Sequence, residues 1–139
     1  MANSILLYED NPELRASIES MLRLNQNVTV AGAHESPMNV KAHIAQLRPD
    51  MLIMDIDMPG MSGIELQRHL LARSSNVPII FITAHGSDER ARSEAASDWT
   101  VAYFIKPFSA DELLDAVNVA LKWTSAAKTN PQNNRRSHE

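Results

Sequence analysis

The chain has 139 residues, of which 44% are hydrophobic and 22% are charged, and its formal net charge is −4. This length supports one compact domain with a core, and the negative charge argues against a nucleic-acid-binding surface. The absence of cysteine excludes disulfides, thiolate metal sites and cysteine nucleophiles. No apolar run is long enough to span a membrane, and the N-terminal stretch lacks the pattern of a signal peptide. We therefore expect a cytoplasmic domain without membrane contact.

Five short apolar runs alternate with segments of helical periodicity. The runs are mostly unbroken, which is typical of strands covered on both faces. They cover residues 5–8, 28–31, 51–54, 77–82 and 101–105. The alternation predicts an α/β fold, a doubly wound five-stranded parallel sheet with five helices.

Three of the five predicted helices have start signals. Asn11 is a cap for the first, Ser36 opens the second, and Ser109 begins a capping box before the fifth. The other two cover residues 63–73 and 87–97. The latter contains no large apolar side chain, so we expect that helix to be held loosely against the sheet.

The C-terminal stretch differs in composition from the rest of the chain. Residues 124–139 are polar and have neither apolar periodicity nor a helix cap. A segment of this kind buries too little apolar surface to offset its conformational entropy. The predicted domain therefore covers residues 1–123, followed by a disordered tail.

Polar residues stand where the predicted strands end. Glu9 and Asp10 follow the first strand, Asp55 follows the third, Thr83 the fourth and Lys106 the fifth. In an open α/β sheet, ligands bind outside the carboxyl ends of the strands, where the strand order reverses. If the order is 2-1-3-4-5, these five side chains share one pocket.

Three carboxylates in one pocket repel each other unless a cation lies among them. Oxygen ligands without histidine or cysteine suit a hard ion such as Mg²⁺, which combines a few carboxylates with water and phosphate oxygens. Taken singly, Asp10 has an ordinary interpretation as a helix cap and Lys106 as a surface lysine. Their combination at several strand ends predicts a site that brings a phosphoryl group to an aspartate.

With these residues in place, the sequence resembles the CheY-like receiver domains of two-component response regulators over residues 3–123. The stretches that carry the resemblance are ILLYEDNPELR, LIMDIDMPGMSGIEL, PIIFITAHG and YFIKPFSADEL. The resemblance implies a sheet of order 2-1-3-4-5. It also implies phosphorelay signalling, in which a sensor histidine kinase or a histidine phosphotransfer protein donates a phosphoryl group.

The resemblance assigns a role to each residue of the pocket. Asp55 is implied as the phosphoacceptor, and Asp10 and Asp55 as side-chain ligands of Mg²⁺. The backbone carbonyl of Asp57 is implied as a further ligand, and Glu9 is expected to act mainly through a metal-bound water. Lys106 is implied to pair with a phosphoryl oxygen.

The same resemblance implies a conformational switch. Thr83 would hydrogen-bond the phosphoryl group, and Tyr103 would turn inward to fill the space that Thr83 leaves. The face of the predicted fourth helix, fifth strand and fifth helix would then change shape and control a downstream protein target, an output domain or a homodimer. A cis bond is implied between Lys106 and Pro107.

Two other interpretations remain open at this stage. Asp55-x-Asp57 after an apolar strand is also found in aspartate phosphatases of the haloacid dehalogenase type, and a receiver fold can serve as an interaction module that is never phosphorylated. We expect no enzymatic activity beyond self-phosphorylation and self-dephosphorylation. We also expect a stand-alone receiver, the alternative being a fragment of a longer regulator.

Overall fold

The structure is a computed structural model that describes residues 3–36, 38–56, 77–83 and 100–129, and in the last range it describes the side chains of residues 102–122. The helices predicted at residues 63–73 and 87–97 lie outside these ranges. The described elements, in chain order, are β1 (Asn3–Tyr8), α1 (Pro12–Leu22), β2 (Val28–His34), α2 (Val40–Leu47), β3 (Met51–Asp55), β4 (Ile79–Thr83), β5 (Thr100–Ile105) and α3 (Ala110–Thr129). None of these described helices is both long and apolar enough to cross a membrane.

The five strands form one parallel sheet in the order β2-β1-β3-β4-β5. This confirms the predicted fold class and strand order. The chain leaves β1 for one edge of the sheet and later returns to β3 on its other side, so β1 and β3 flank the point of reversal. Tyr8 is paired with Met54, and the next residues along these strands, Glu9 and Asp55, therefore emerge side by side.

The sheet separates two apolar layers because successive strand residues point to opposite faces. On one face, Leu7 and Ile53 belong to a buried cluster that also contains residues of α1 and α3. On the other, Tyr8 and Met54 pack in a cluster with Val40 of α2. Burial on both faces explains why the strand sequences are apolar without alternation.

Two predicted helix starts are confirmed by their capping contacts. The Asn11 side chain accepts the backbone N–H groups of Glu13 and Leu14 at 2.9 and 3.1 Å. At α3, the backbone N–H of Glu112 donates to Ser109 Oγ, and that of Ser109 donates to Glu112 Oε1, both at 3.0 Å. Each contact satisfies backbone donors that a helix start leaves open.

Two helix boundaries differ from the sequence expectation. The helix α2 begins at Val40 rather than next to Ser36, whose Oγ accepts the N–H of Met38 at 3.2 Å, ahead of the helix. The helix α3 continues to Thr129, so the predicted boundary at Thr124 lies inside it. This extension contains two alanines and a lysine, which favour helix, and lengthening an existing helix avoids the cost of nucleation.

Candidate functional site

Three carboxylates converge at the carboxyl ends of β1 and β3. One carboxylate oxygen from each of Glu9, Asp10 and Asp55 lies within 4.8 Å of the others. Glu9 is 0% exposed and Asp55 is 3% exposed, whereas Asp10 is exposed. The pocket therefore has two buried carboxylates at its base and one at its mouth. This all-oxygen donor set fits the preference of Mg²⁺ for carboxylates combined with water.

Lys106 joins the pocket from the end of β5. Its Nζ lies 2.8 Å from Asp55 Oδ2 and 3.0 Å from Glu9 Oε1. The lysine is held to the neighbouring strand, because its backbone N–H donates to the carbonyl oxygen of Thr83 at 2.8 Å. The bond between Lys106 and Pro107 is cis, as the family resemblance implied. One ammonium thus faces two of the three carboxylates.

Burial and charge oppose each other inside the pocket. Burial raises the pKa of Glu9 to about 7, and this outweighs the opposing effects of the Asn11 N–H and of Lys106. Burial alone would lower the pKa of Lys106, but its hydrogen bonds to Asp55 and Glu9 outweigh that effect, and the pKa is raised. Lys106 therefore stays charged at neutral pH. A further cation would favour the ionised form of Glu9.

Glu9 is anchored through its backbone as well as its side chain. Its N–H donates to the His34 carbonyl at 2.9 Å, and its own carbonyl accepts from Arg15 Nη1 at 2.8 Å. The Asn11 N–H donates to Glu9 Oε2 at 3.0 Å. The contributions of Arg15 and the Asn11 backbone were not identified from the sequence. A basic residue close to a helix start, against the helix dipole, is the signal that points to Arg15.

The predicted switch residues lie on β4 and β5, the two strands that follow β3 in the sheet. Thr83 ends β4 and is 2% exposed. Tyr103 is paired with Phe81 across β4 and β5, and its half-buried side chain packs on the apolar cluster that contains Tyr8. Asp57, predicted to offer its backbone carbonyl, lies outside the described residues.

A stack of three rings, which the sequence did not predict, adjoins the pocket through Tyr8. The Tyr8 ring stacks on His34 at 5.3 Å between centroids, and His34 stacks on His43 at 4.0 Å. The Tyr8 hydroxyl and His43 Nδ1 share a hydrogen bond of 2.8 Å. Burial lowers the pKa of His34, and the charges of His43 and Arg15 lower it further. The stack ties β1, β2 and α2 together at the residue that precedes Glu9.

Residues 5–118 match the family model described as the response regulator receiver domain. The response regulator protein TmoT of Ectopseudomonas mendocina is 39% identical over 87 residues, which cover 63% of this chain and 39% of that protein. Protein-glutamate methylesterase/protein-glutamine glutaminase 2 of Vibrio vulnificus is 34% identical over 106 residues, covering 74% of this chain and 30% of that protein. The crystal structure of FixJ-N is similar with a TM-score of 0.75 and 32% identity, over 86% of this chain and 94% of that one. This chain thus spans less than half the length of the two curated relatives.

Proposed function

We propose, since the chain belongs to the family of response regulator receiver domains, that it is a phosphorylation-dependent signalling switch with Asp55 as its phosphoacceptor. The observation that carries this proposal is the contact of Lys106 Nζ with Asp55 Oδ2 at 2.8 Å, beside two further carboxylates. A cation fixed against one aspartate at the carboxyl edge of the sheet suits that aspartate for an incoming phosphoryl group.

The proposed reaction is a direct phosphoryl transfer to Asp55. One carboxylate oxygen of Asp55 forms the new bond to phosphorus while the bond from phosphorus to the donor breaks, and the electron pair of that bond leaves with the donor. Such transfer depends mainly on positioning and on neutralising the charge of the phosphoryl oxygens. Lys106 already faces Asp55 and can pair with a phosphoryl oxygen once the acceptor is modified.

Mg²⁺ is the proposed cofactor, and when bound it supplies charge neutralisation between the carboxylates and the phosphoryl oxygens. Asp10 and Asp55 are the proposed direct side-chain ligands, with the Asp57 carbonyl as a third protein ligand. Both oxygens of Glu9 already have protein partners, Lys106 and the Asn11 N–H. This favours an indirect role for Glu9, through water.

The output of the switch is proposed to pass through Thr83 and Tyr103. The buried position of Thr83 at the end of β4 suits a hydroxyl that moves toward a phosphoryl oxygen. Tyr103 is half-buried and packs against the apolar cluster beside β4, which suits a ring whose packing changes when Thr83 moves. A change of this kind would reshape the face of β5 and α3, to which the sequence analysis adds the helix predicted at residues 87–97.

The proposed donors are a sensor histidine kinase or a histidine phosphotransfer protein, and the proposed receiver of the signal is a downstream protein, an output domain or a second copy of the chain. These partners imply a cytoplasmic location. The activity of the methylesterase relative is not carried over to this chain, because the match covers only 30% of that protein. Self-phosphorylation and self-dephosphorylation are the activities proposed.

The proposal is tested by incubating the protein with acetyl phosphate and Mg²⁺ and measuring its intact mass. We expect one added phosphoryl group in the wild type, none without Mg²⁺ and none in Asp55→Asn. Asp115→Asn, which changes an exposed aspartate of α3, is the matched control and should be modified like the wild type. Release of inorganic phosphate is followed in parallel, since rapid hydrolysis would hide the adduct. If the wild type shows neither an adduct nor phosphate release, the result contradicts the proposal and favours an interaction module that is never phosphorylated.

A further inference from the structure

Arg15 reaches out of α1 to the backbone of the acidic pocket. Its Nη1 donates to the carbonyl oxygen of Glu9 at 2.8 Å, and its backbone N–H donates to the carbonyl of the capping residue Asn11 at 2.9 Å. We propose that Arg15 is a positioning residue for Mg²⁺ binding, which acts by fixing the backbone that carries Glu9 and Asp10. The inference rests on the proposed function and adds a residue outside its set of ligands.

Arg15 lies at an electrostatically unfavourable position in α1, for which a tertiary contact compensates. It is the fourth residue of α1, where the positive end of the helix dipole disfavours a cation. The contact with the Glu9 carbonyl compensates for this, because a hydrogen bond from an ionised donor is stronger than a neutral one. The first turn of α1 is therefore coupled to the end of β1 by a side chain as well as by the chain itself.

The Glu9 carbonyl belongs to the peptide group that leads into Asp10. Because a peptide group is planar, holding its oxygen also fixes the direction in which the chain enters Asp10. Asp10 is exposed, so packing contributes little to its orientation and the backbone must set it. Arg15 thus controls the placement of the most exposed of the three carboxylates without contacting it.

The same contact completes the fixation of Glu9. Its N–H is held by β2 through His34, its side chain by Asn11 and Lys106, and its carbonyl by Arg15. A completely buried carboxylate that is fixed on every side keeps its geometry whether or not a cation is present. Preorganisation of this kind lowers the cost of arranging ligands when a metal binds.

A positioning role and a purely electrostatic role predict opposite results. If Arg15 contributed only its positive charge, removing it would reduce repulsion of Mg²⁺ and tighten binding. If Arg15 holds the ligands in place, removing it weakens binding despite the loss of that repulsion. The direction of the change in affinity therefore separates the two roles.

Arg23 provides a matched control on the same segment of the chain. Its side chain is 71% exposed and contacts only Glu19, at 3.5 Å, among the ion pairs described for it. Arg23→Met changes the net charge as Arg15→Met does and replaces the same side chain. It leaves the Glu9 carbonyl untouched.

The experiment is titration of metal-free protein with Mg²⁺ by isothermal calorimetry, on the wild type, Arg15→Met, Arg15→Lys and Arg23→Met. We expect Arg15→Met to bind about tenfold more weakly, as is typical when a residue that orients a ligand is lost, and Arg23→Met to match the wild type. Arg15→Lys keeps the charge but not the planar donor and should also bind more weakly. If Arg15→Met does not fold, Arg15→Lys decides, and an affinity equal to the wild type overturns the proposal.

A second readout needs no metal. The Asn11 N–H, which donates to Glu9 Oε2, should exchange with solvent faster in Arg15→Met than in the wild type or Arg23→Met. If the wild type binds Mg²⁺ and Arg15→Met binds it equally or more tightly, the positioning role of Arg15 is overturned while the proposed metal site stands. Absence of Mg²⁺ binding by the wild type would overturn it together with the proposed metal site.

Discussion

Lys106 and Asp55 form the shortest described ion pair of the pocket, at 2.8 Å between Nζ and Oδ2, and the same ammonium lies 3.0 Å from Glu9 Oε1. One side chain just after β5 therefore compensates charge at the ends of both β1 and β3. The pair is partly accessible, because the Lys106 side chain is 21% exposed while that of Asp55 is 4% exposed. Because Lys106 is shared by two carboxylates, replacing it should affect the stability of the protein more than replacing an exposed lysine.

Lys106→Met is expected to reduce the free energy of unfolding by about 1–3 kcal/mol, because it leaves two buried carboxylates without their cation. The loss is smaller than for a fully buried pair because solvent reaches part of the lysine. Lys122→Met, at an exposed lysine of α3, should change stability by less than about 0.5 kcal/mol. Urea denaturation in EDTA at pH 7 measures the free energy of unfolding of both variants. Equal losses of stability in the two would contradict the ion pairs described for Lys106.

Gly32→Ala is expected to destabilise the protein although alanine suits a strand better than glycine. A Cβ at this position would lie 2.7 Å from His34 Nε2 and 3.2 Å from Leu6 Cδ2, and overpacking of this kind costs about 1–3 kcal/mol. His34→Ala removes the closest obstacle, so the double variant should lose less than the sum of the two single variants. Additive losses in urea denaturation would show that the ring does not lie against Gly32.

Tyr8→Phe removes the hydroxyl that shares a hydrogen bond with His43 Nδ1. The ring stack and the apolar packing remain, so the free energy of unfolding should fall by about 0.5–1.5 kcal/mol, the net contribution of one hydrogen bond. In a His43→Leu background the same substitution should cost much less, because the partner is already gone. Thermal unfolding of the four proteins gives the coupling, and zero coupling would contradict the contact.

The pH dependence of stability should report the burial of His34. Its pKa in the folded protein lies below the ordinary value of 6.5, so between these two values the unfolded chain binds more protons than the folded one, and stability falls as the pH drops below 6.5. His34→Phe keeps a ring in the stack and removes this titration. From pH 7.5 to pH 5.5 the wild type should lose stability relative to His34→Phe. A constant difference between the two urea midpoints would show that the folded protein does not depress the pKa of His34.

Much of the pocket could be predicted because strand ends are visible in sequence. Glu9, Asp10, Asp55 and Lys106 each follow an apolar run, and parallel strands bring their carboxyl ends to one edge. Strand order then decides which residues are neighbours, and the observed order matches the predicted one. Local chemistry and one topological rule, together with the strand order that the family resemblance implied, therefore sufficed to predict that these side chains lie close together.

Other features depend on three-dimensional contacts that the sequence does not specify. A basic residue near a helix start marks Arg15 as unusual, but its partner is a backbone carbonyl, which has no sequence signature of its own. The stack of Tyr8, His34 and His43 joins three elements whose helical or strand periodicity is ordinary. The end of α3 at Thr129 was missed because polar composition was interpreted as disorder, although helix propagation tolerates polar residues once a helix is established.

The central claim, that Asp55 accepts a phosphoryl group, is tested most directly by locating the modification. Protein treated with acetyl phosphate and Mg²⁺ is reduced with sodium borohydride, which converts an aspartyl phosphate to homoserine, and is then digested and sequenced by mass spectrometry. We predict homoserine at position 55 alone, and only in samples that contained both Mg²⁺ and the phosphodonor. Homoserine at another aspartate, or unmodified Asp55 in protein that carries a stable phosphoryl adduct, would contradict the assignment.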